Sequence, residues 1–89
     1  MLTVSSCISK KANIPWRIIE EEAVLVDVDR GEVIHLNPVG AEIWNLIDGK
    51  KSVGEIVTHI YQQFEVAQET AKKDTLEFLA KLAKKDIIE

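Results

Sequence analysis

A single cysteine, Cys7, stands in the whole chain, so neither a disulfide framework nor a set of paired thiols for a metal can be built. A reducing compartment is the natural setting, and no cofactor or metal site is expected. The two prolines both mark boundaries: Pro15 the start of ordered chain, Pro38 the first turn of a helix. No apolar run is long enough to span a bilayer, and residues 1–14 hold no apolar segment of signal-peptide length. A cytoplasmic protein with no membrane partner is therefore expected. Positive charge is also in short supply. Eleven Lys and Arg face fifteen Asp and Glu, for a net charge of −4, whereas nucleic-acid phosphates demand a basic face. Also missing are a Gly-rich phosphate loop and a nucleophile with a base at recognisable spacing, so catalysis by this chain is not expected.

What is present is an ordinary globular composition, 46% hydrophobic and 29% charged over 89 residues. That is one domain, able to remove roughly 60–65% of its unfolded surface from water. Residues 1–14 mix Ser, Lys and Asn without a period and are expected as a flexible tail, with 15–89 as the single domain. Trp16 to Glu22 reads as a first strand. "AVLVDV" (23–28) reads as a second, with Val24, Val26 and Val28 alternating onto one face. "DRG" (29–31) supplies a turn with Gly31 free to take positive φ, and "EVIHL" (32–36) returns as a third strand, closing a hairpin.

In "LNPVGAEIWNLIDGKK" (36–51) a helix is opened and closed by explicit signals. Asn37 can cap it, and Pro38 loses only an amide that would be unpaired anyway. Val39, Ile43, Leu46 and Ile47 recur at helical spacing until Asp48-Gly49 ends the run. Ser52 and Glu55 stand at capping-box spacing and open a second helix. Its positions Val53, Ile56, Val57, Ile60, Tyr61 and Phe64 follow the period of one buried face. A third helix is expected from about Glu69 to Lys84. Ala71, Thr75, Phe78, Leu79 and Leu82 form its main stripe, and Leu76, Ala80 and Ala83 widen it beyond what one neighbour requires. "KDIIE" closes the chain, with Ile87 and Ile88 packing or adding a short strand.

The order is that of an α+β domain, winged helix-turn-helix-like, with a three-stranded antiparallel sheet followed by three helices. Single residues read plainly. His35 and His59 have no ligand constellation around them and read as surface histidines. Trp16 and Trp44 read as core or core-edge residues, and Glu20-Glu21-Glu22 as a solvated strand end. Lys72, Lys73, Lys81, Lys84 and Lys85 are spread around the third helix among acidic residues, whereas a DNA-reading helix would gather them on one face. A winged-helix transcription regulator is thus the weaker alternative to a peptide-binding adaptor. A structural subunit without a groove is a third.

"LNPVGAEIWNLIDGKKSVGEIVTHIYQQF" followed by "DTLEFLAKLAKKDII" resembles the PqqD-like family, domains that recognise leader peptides of ribosomally made, post-translationally modified peptides. The resemblance spans about residues 16 to 88. It is carried by the Leu36-Asn37 corner, Ile43-Trp44, the Asp48-Gly49 turn and the spacing of Asp74, Phe78, Leu79 and Leu82. Asp86 departs from the pattern, standing where members often have Gly. The first strand lacks the fuller signature of members devoted to pyrroloquinoline quinone synthesis, and "LNPVGA" is as similar to the stand-alone domains of lasso-peptide systems. The resemblance implies that a leader peptide adds as a strand to the third strand and lies in the groove beside the third helix. The sequence order agrees, because the strand over 32–36 is an end strand whose unpaired groups offer a ladder. The implied site is Glu32, Val33, Ile34, His35 and Leu36 on the strand, with Asp74, Thr75, Phe78, Leu79, Lys81 and Leu82 on the helix. Phe78 and Leu82 are the expected floor, and Asp74 or Lys81 the rim. The implied partners are the precursor peptide and a modifying enzyme, such as a radical-SAM maturase or a leader peptidase, with the chain itself a monomer.

Overall fold

Strands β1 (Trp16–Ile19), β2 (Glu22–Asp27) and β3 (Glu32–Leu36) precede helices α1 (Pro38–Leu46), α2 (Val53–Gln63) and α3 (Gln68–Lys84) in a computed structural model that describes residues 2–89. The sheet is antiparallel, in the order β1-β2-β3. The first strand is shorter than expected. Glu20 and Glu21 take φ of 50° and 73° and form a two-residue hairpin turn between the paired Ile19 and Glu22. Two positive φ values match the right-handed twist of the flanking strands, which outweighs the poor fit of Glu to that region. The valines of β2 lie on the outer face of the sheet, and Ala23 and Leu25, both at 0% exposure, face the helices.

The corner between sheet and helices is built as its sequence demands. The Asn37 side chain accepts from the Gly40 amide at 2.8 Å, and Pro38 occupies the first turn. Beyond α1, Gly49 takes φ +82°, and the Asp48 carboxylate accepts from the amides of Lys50 and Lys51. The capping box of α2 is complete: the Ser52 amide donates to Glu55 Oε1 at 3.0 Å and the Glu55 amide to Ser52 Oγ at 3.2 Å. Ile43 and Trp44 from α1, Ile47 just after it, Ile56 and Ile60 from α2, Leu79 and Leu82 from α3 and Leu25 from β2 belong to one core.

The segment expected as a tail is instead fastened to the domain. Ile8 is 2% exposed within the core. The first-turn amides of α2, which have no partner inside their own helix, are met from this segment: Val53 N–H donates to the Ser6 carbonyl and Gly54 N–H to that of Val4. Ser9 and Glu89 exchange backbone bonds, and the Lys11 amide donates to the Ile87 carbonyl. Ile87 and Ile88 are thereby both buried and paired. Further along, Lys10 Nζ lies 4.5 Å from the Trp16 ring centroid and 5.2 Å from that of Trp44. Partial burial lowers its pKa, and Asp48 offsets part of that effect.

α3 ends in a six-to-one closure. The Asp86 amide donates to the Ala83 carbonyl and the Ile87 amide to that of Leu82, with Asp86 at φ +63°. This left-handed position favours glycine. Here an aspartate takes it, and its carboxylate is held by Lys11 at 2.9 Å.

Candidate functional site

The free edge of the sheet follows from its hydrogen-bond alternation. The Val26 amide donates to the Pro15 carbonyl, on the β1 side of β2. Because successive residues of an antiparallel strand direct their polar groups to opposite sides, Ala23, Leu25 and Asp27 bond toward β3. Their partners there are Leu36, Ile34 and Glu32. The amides and carbonyls of Val33 and His35 therefore point outward from β3, where no strand among the described residues pairs with them. Side chains alternate as well. Val33 (57% exposed) and His35 lie on the outer face, while Ile34 and Leu36 turn toward the helices.

α3 runs beside this edge in the opposite sense. At one end, the Phe78 ring packs so close to α1 that a Cβ on Gly40 would stand 3.2 Å from Phe78 Cε1 and 3.4 Å from Leu36 Cβ. At the other end, Lys85 Nζ meets Glu32 Oε2 at 3.3 Å. The seven residues of helix between Phe78 and Lys85 rise about 10 Å, against about 13 Å along β3 from Leu36 to Glu32. Strand edge and helix thus run alongside each other over similar lengths, between the Leu36–Gly40–Phe78 packing and the Glu32–Lys85 pair.

A cavity of about 280 Å³ opens at the Phe78 end, lined by Asn37, Val39, Gly40, Ile43, Asp74, Glu77, Phe78 and Lys81. Of the helical residues expected to touch a ligand, Asp74, Phe78 and Lys81 are brought together here. Thr75, Leu79 and Leu82 are not: they are 0%, 0% and 2% exposed and face the core. Leu82 is therefore no part of the floor, and the Thr75 hydroxyl is buried with no partner among the described residues. At about 100° per residue, 75, 79 and 82 fall on one side of α3 and 74, 78 and 81 on the next. The stripe in the sequence had merged the two. The α1 contribution from Asn37, Val39, Gly40 and Ile43 was not singled out, although Gly40 sits in the "NPVGA" corner and its lack of a side chain is what admits the Phe78 ring. A second hollow, about 270 Å³, lies against the opposite face of α1 beside Ile18, Glu42 and Phe64, away from β3.

The β3 edge and the neighbouring cavity together offer free main-chain groups, one aromatic ring and separated charges. Among the described residues no group of three His, Cys, Asp or Glu side chains is placed to hold a metal ion, and no helix is long and apolar enough to cross a membrane.

Comparison with known proteins places this geometry. The family model described as Coenzyme PQQ synthesis protein D (PqqD) matches residues 22–88. A curated relative, the PqqA binding protein of Gluconobacter oxydans (strain 621H), is 39% identical over 46 residues, 52% of this chain and 48% of that protein. The chain thus spans about half the length of the curated relative it matches. Among solved structures, TbiB1 in complex with the TbiA(beta) leader peptide superposes with a TM-score of 0.82 and 31% identity, over 91% of this chain and 94% of that one. The PqqD truncation of Methylobacterium extorquens PqqCD, described as a stand-alone recognition element for ribosomally synthesised and post-translationally modified peptides, has the same fold. It superposes with a TM-score of 0.81 at 22% identity, over 100% of this chain and 95% of that one.

Proposed function

The chain belongs to the PqqD family, whose model matches residues 22–88, and from that premise we propose that it binds the leader of a ribosomally made precursor peptide as an added strand on β3. The observation that carries the proposal is the open edge of β3, with the Val33 and His35 main-chain groups unpaired, lying alongside the Phe78 cavity. Strand addition draws affinity from main-chain bonds and specificity from pockets that receive alternate side chains. The relatives fit this role, one being a PqqA binding protein by name and the other a protein solved with a leader peptide on it.

In this proposal Glu32 to Leu36 provide the pairing edge, Ile34 and Leu36 the inner wall, Phe78 the floor, and Asp74 and Lys81 the rim. Thr75, Leu79 and Leu82 act from beneath, seating α3 on the core so that Phe78 stays against Gly40. The chain works as a monomeric binding element in the cytoplasm, without a cofactor. It presents the bound leader to a modifying enzyme such as a radical-SAM maturase or a leader peptidase. DNA binding is the weaker reading, because acidic residues interrupt the basic ones of α3: Asp74 and Glu77 stand beside Lys81, and Lys85 is paired with Glu32.

Titrating a labelled leader peptide against Phe78→Ala tests this. Peptide affinity falls in a variant shown by its melting curve to remain folded, while replacing Lys84 and Lys85 by Ala barely changes it. Salt has a mild effect, because backbone bonds and apolar contacts dominate. Duplex DNA binding that collapses with salt, at about −0.9 in log–log slope per phosphate contacted, alongside no peptide affinity, contradicts the proposal.

A further inference from the structure

We infer that the groove selects its peptide by an order of charge: a cationic side chain, then an apolar one, then an anionic one, on alternate residues from N- to C-terminus. The inference rests on strand addition at β3 and adds the chemistry of the partner. Asp74, Glu77 and Lys81 line the cavity around Phe78, and none of the three forms an ion pair among the described residues. Glu77 and Lys81 stand at the i,i+4 spacing, in the orientation at which such residues usually pair on a helix, yet they are not joined. Three charged side chains with no ion-pair partner among the described residues therefore surround a site whose floor is one aromatic ring.

Their order along the groove is set by α3. Asp74 lies four residues before Phe78, about 6 Å along the helix. Lys81 lies three residues after it, about 4.5 Å, and a lysine stem extends that reach. Side chains on one face of an extended strand are about 6.7 Å apart. One strand step from an apolar side chain seated on Phe78 thus reaches Asp74 in one direction and the Lys81 ammonium in the other. Direction follows from the sheet. All its pairings are antiparallel, and antiparallel pairing is the more stable per residue. β3 runs from the Lys85 end toward the Phe78 end. A strand antiparallel to it enters at Asp74 and leaves past Lys81, so the cation comes first and the anion last.

Selection of random short segments displayed on a carrier, run against the protein and against the Asp74→Lys/Lys81→Glu double variant, tests this. Both substitutions are on exposed positions of α3, and the melting temperature of the double variant is checked first. Against the unaltered chain, enriched segments carry Lys or Arg two residues before a large apolar residue and Asp or Glu two residues after it. Against the double variant the charges exchange places. Synthetic peptides of the two orders then differ in affinity by roughly 2- to 20-fold, as two exposed ion pairs allow, and the difference shrinks as salt rises. Enriched apolar segments with no charge order, or an order unchanged by the double variant, overturn the inference and leave strand addition standing. No enrichment of any segment, together with no binding of a leader peptide, overturns strand addition itself.

Discussion

The Phe78 ring rests where the side chain of residue 40 would be, with a Cβ on Gly40 placed 3.2 Å from Phe78 Cε1. The absent methyl lets the ring pack closely against α1, in the wall of the Phe78 cavity. Gly40→Ala adds the methyl at a helical position where Ala is favoured over Gly by about 1 kcal/mol. The crowding acts against that gain, and the half-buried ring yields outward into the cavity. Stability stays within about 1 kcal/mol of the parent while peptide affinity falls. Unchanged affinity, measured by titration beside a melting curve, would show that the Phe78 pocket is not used.

Ile60→Ala and Ile8→Ala each lower stability by about 2–5 kcal/mol, because each empties a buried site; both residues are 2% exposed. The first tests the buried face of α2, the second the fastening of the N-terminal segment. Denaturant unfolding measures both. A midpoint unaffected by Ile8→Ala would return residues 2–11 to the status of a tail.

Replacing Asp86 by Gly relieves a left-handed backbone but removes the bond to Lys11, and the melting temperature rises, since the pair is solvent-exposed and worth little. The same pair has a pH signature. Lys11 holds the Asp86 carboxyl below its usual range, and Asp48 is depressed further by the Lys51 ammonium and by the amides of Lys51 and Lys50. A carboxyl depressed in the folded state contributes stability above its unfolded pKa of 3.8, and the contribution is lost as pH falls through the folded value. Lys11 is raised by the same bond, so its share is present below 10.5 and lost at higher pH. Acid melting curves should be flat from neutrality to near the unfolded carboxylate pKa and fall below it. Asp48→Asn softens that fall; an acid limb it leaves unchanged contradicts the assignment.

Much of this was legible in the chain. The Asn37-Pro38 start, the Ser52–Glu55 box and the period of α2 are local signals, written within a few residues and little altered by packing. The edge position of β3 was legible too, because a third strand in a hairpin series lies at an edge. What could not be read depends on distant partners. Ile8 is a lone apolar residue among Ser and Lys, and only the unmet amides of Val53 and Gly54 and the buried C-terminal isoleucines give it a place. On α3 one broad apolar arc serves two purposes, core on the Thr75–Leu79–Leu82 side and groove at Phe78. No pattern within the helix divides them until α1 is set against it. The Glu20-Glu21 turn was hidden because neither residue favours positive φ.

The central claim is that a leader peptide becomes the fourth strand on β3. Amide NMR shifts of the labelled protein, followed as a leader peptide encoded beside this chain is added, measure it most directly. The account predicts shifts over Glu32–Leu36 and Asp74–Lys81, with the Val33 and His35 amides newly protected from exchange and those of β1 little changed. Saturable binding whose shifts are confined to β1 and β2, with Glu32–Leu36 and Asp74–Lys81 silent, would contradict it.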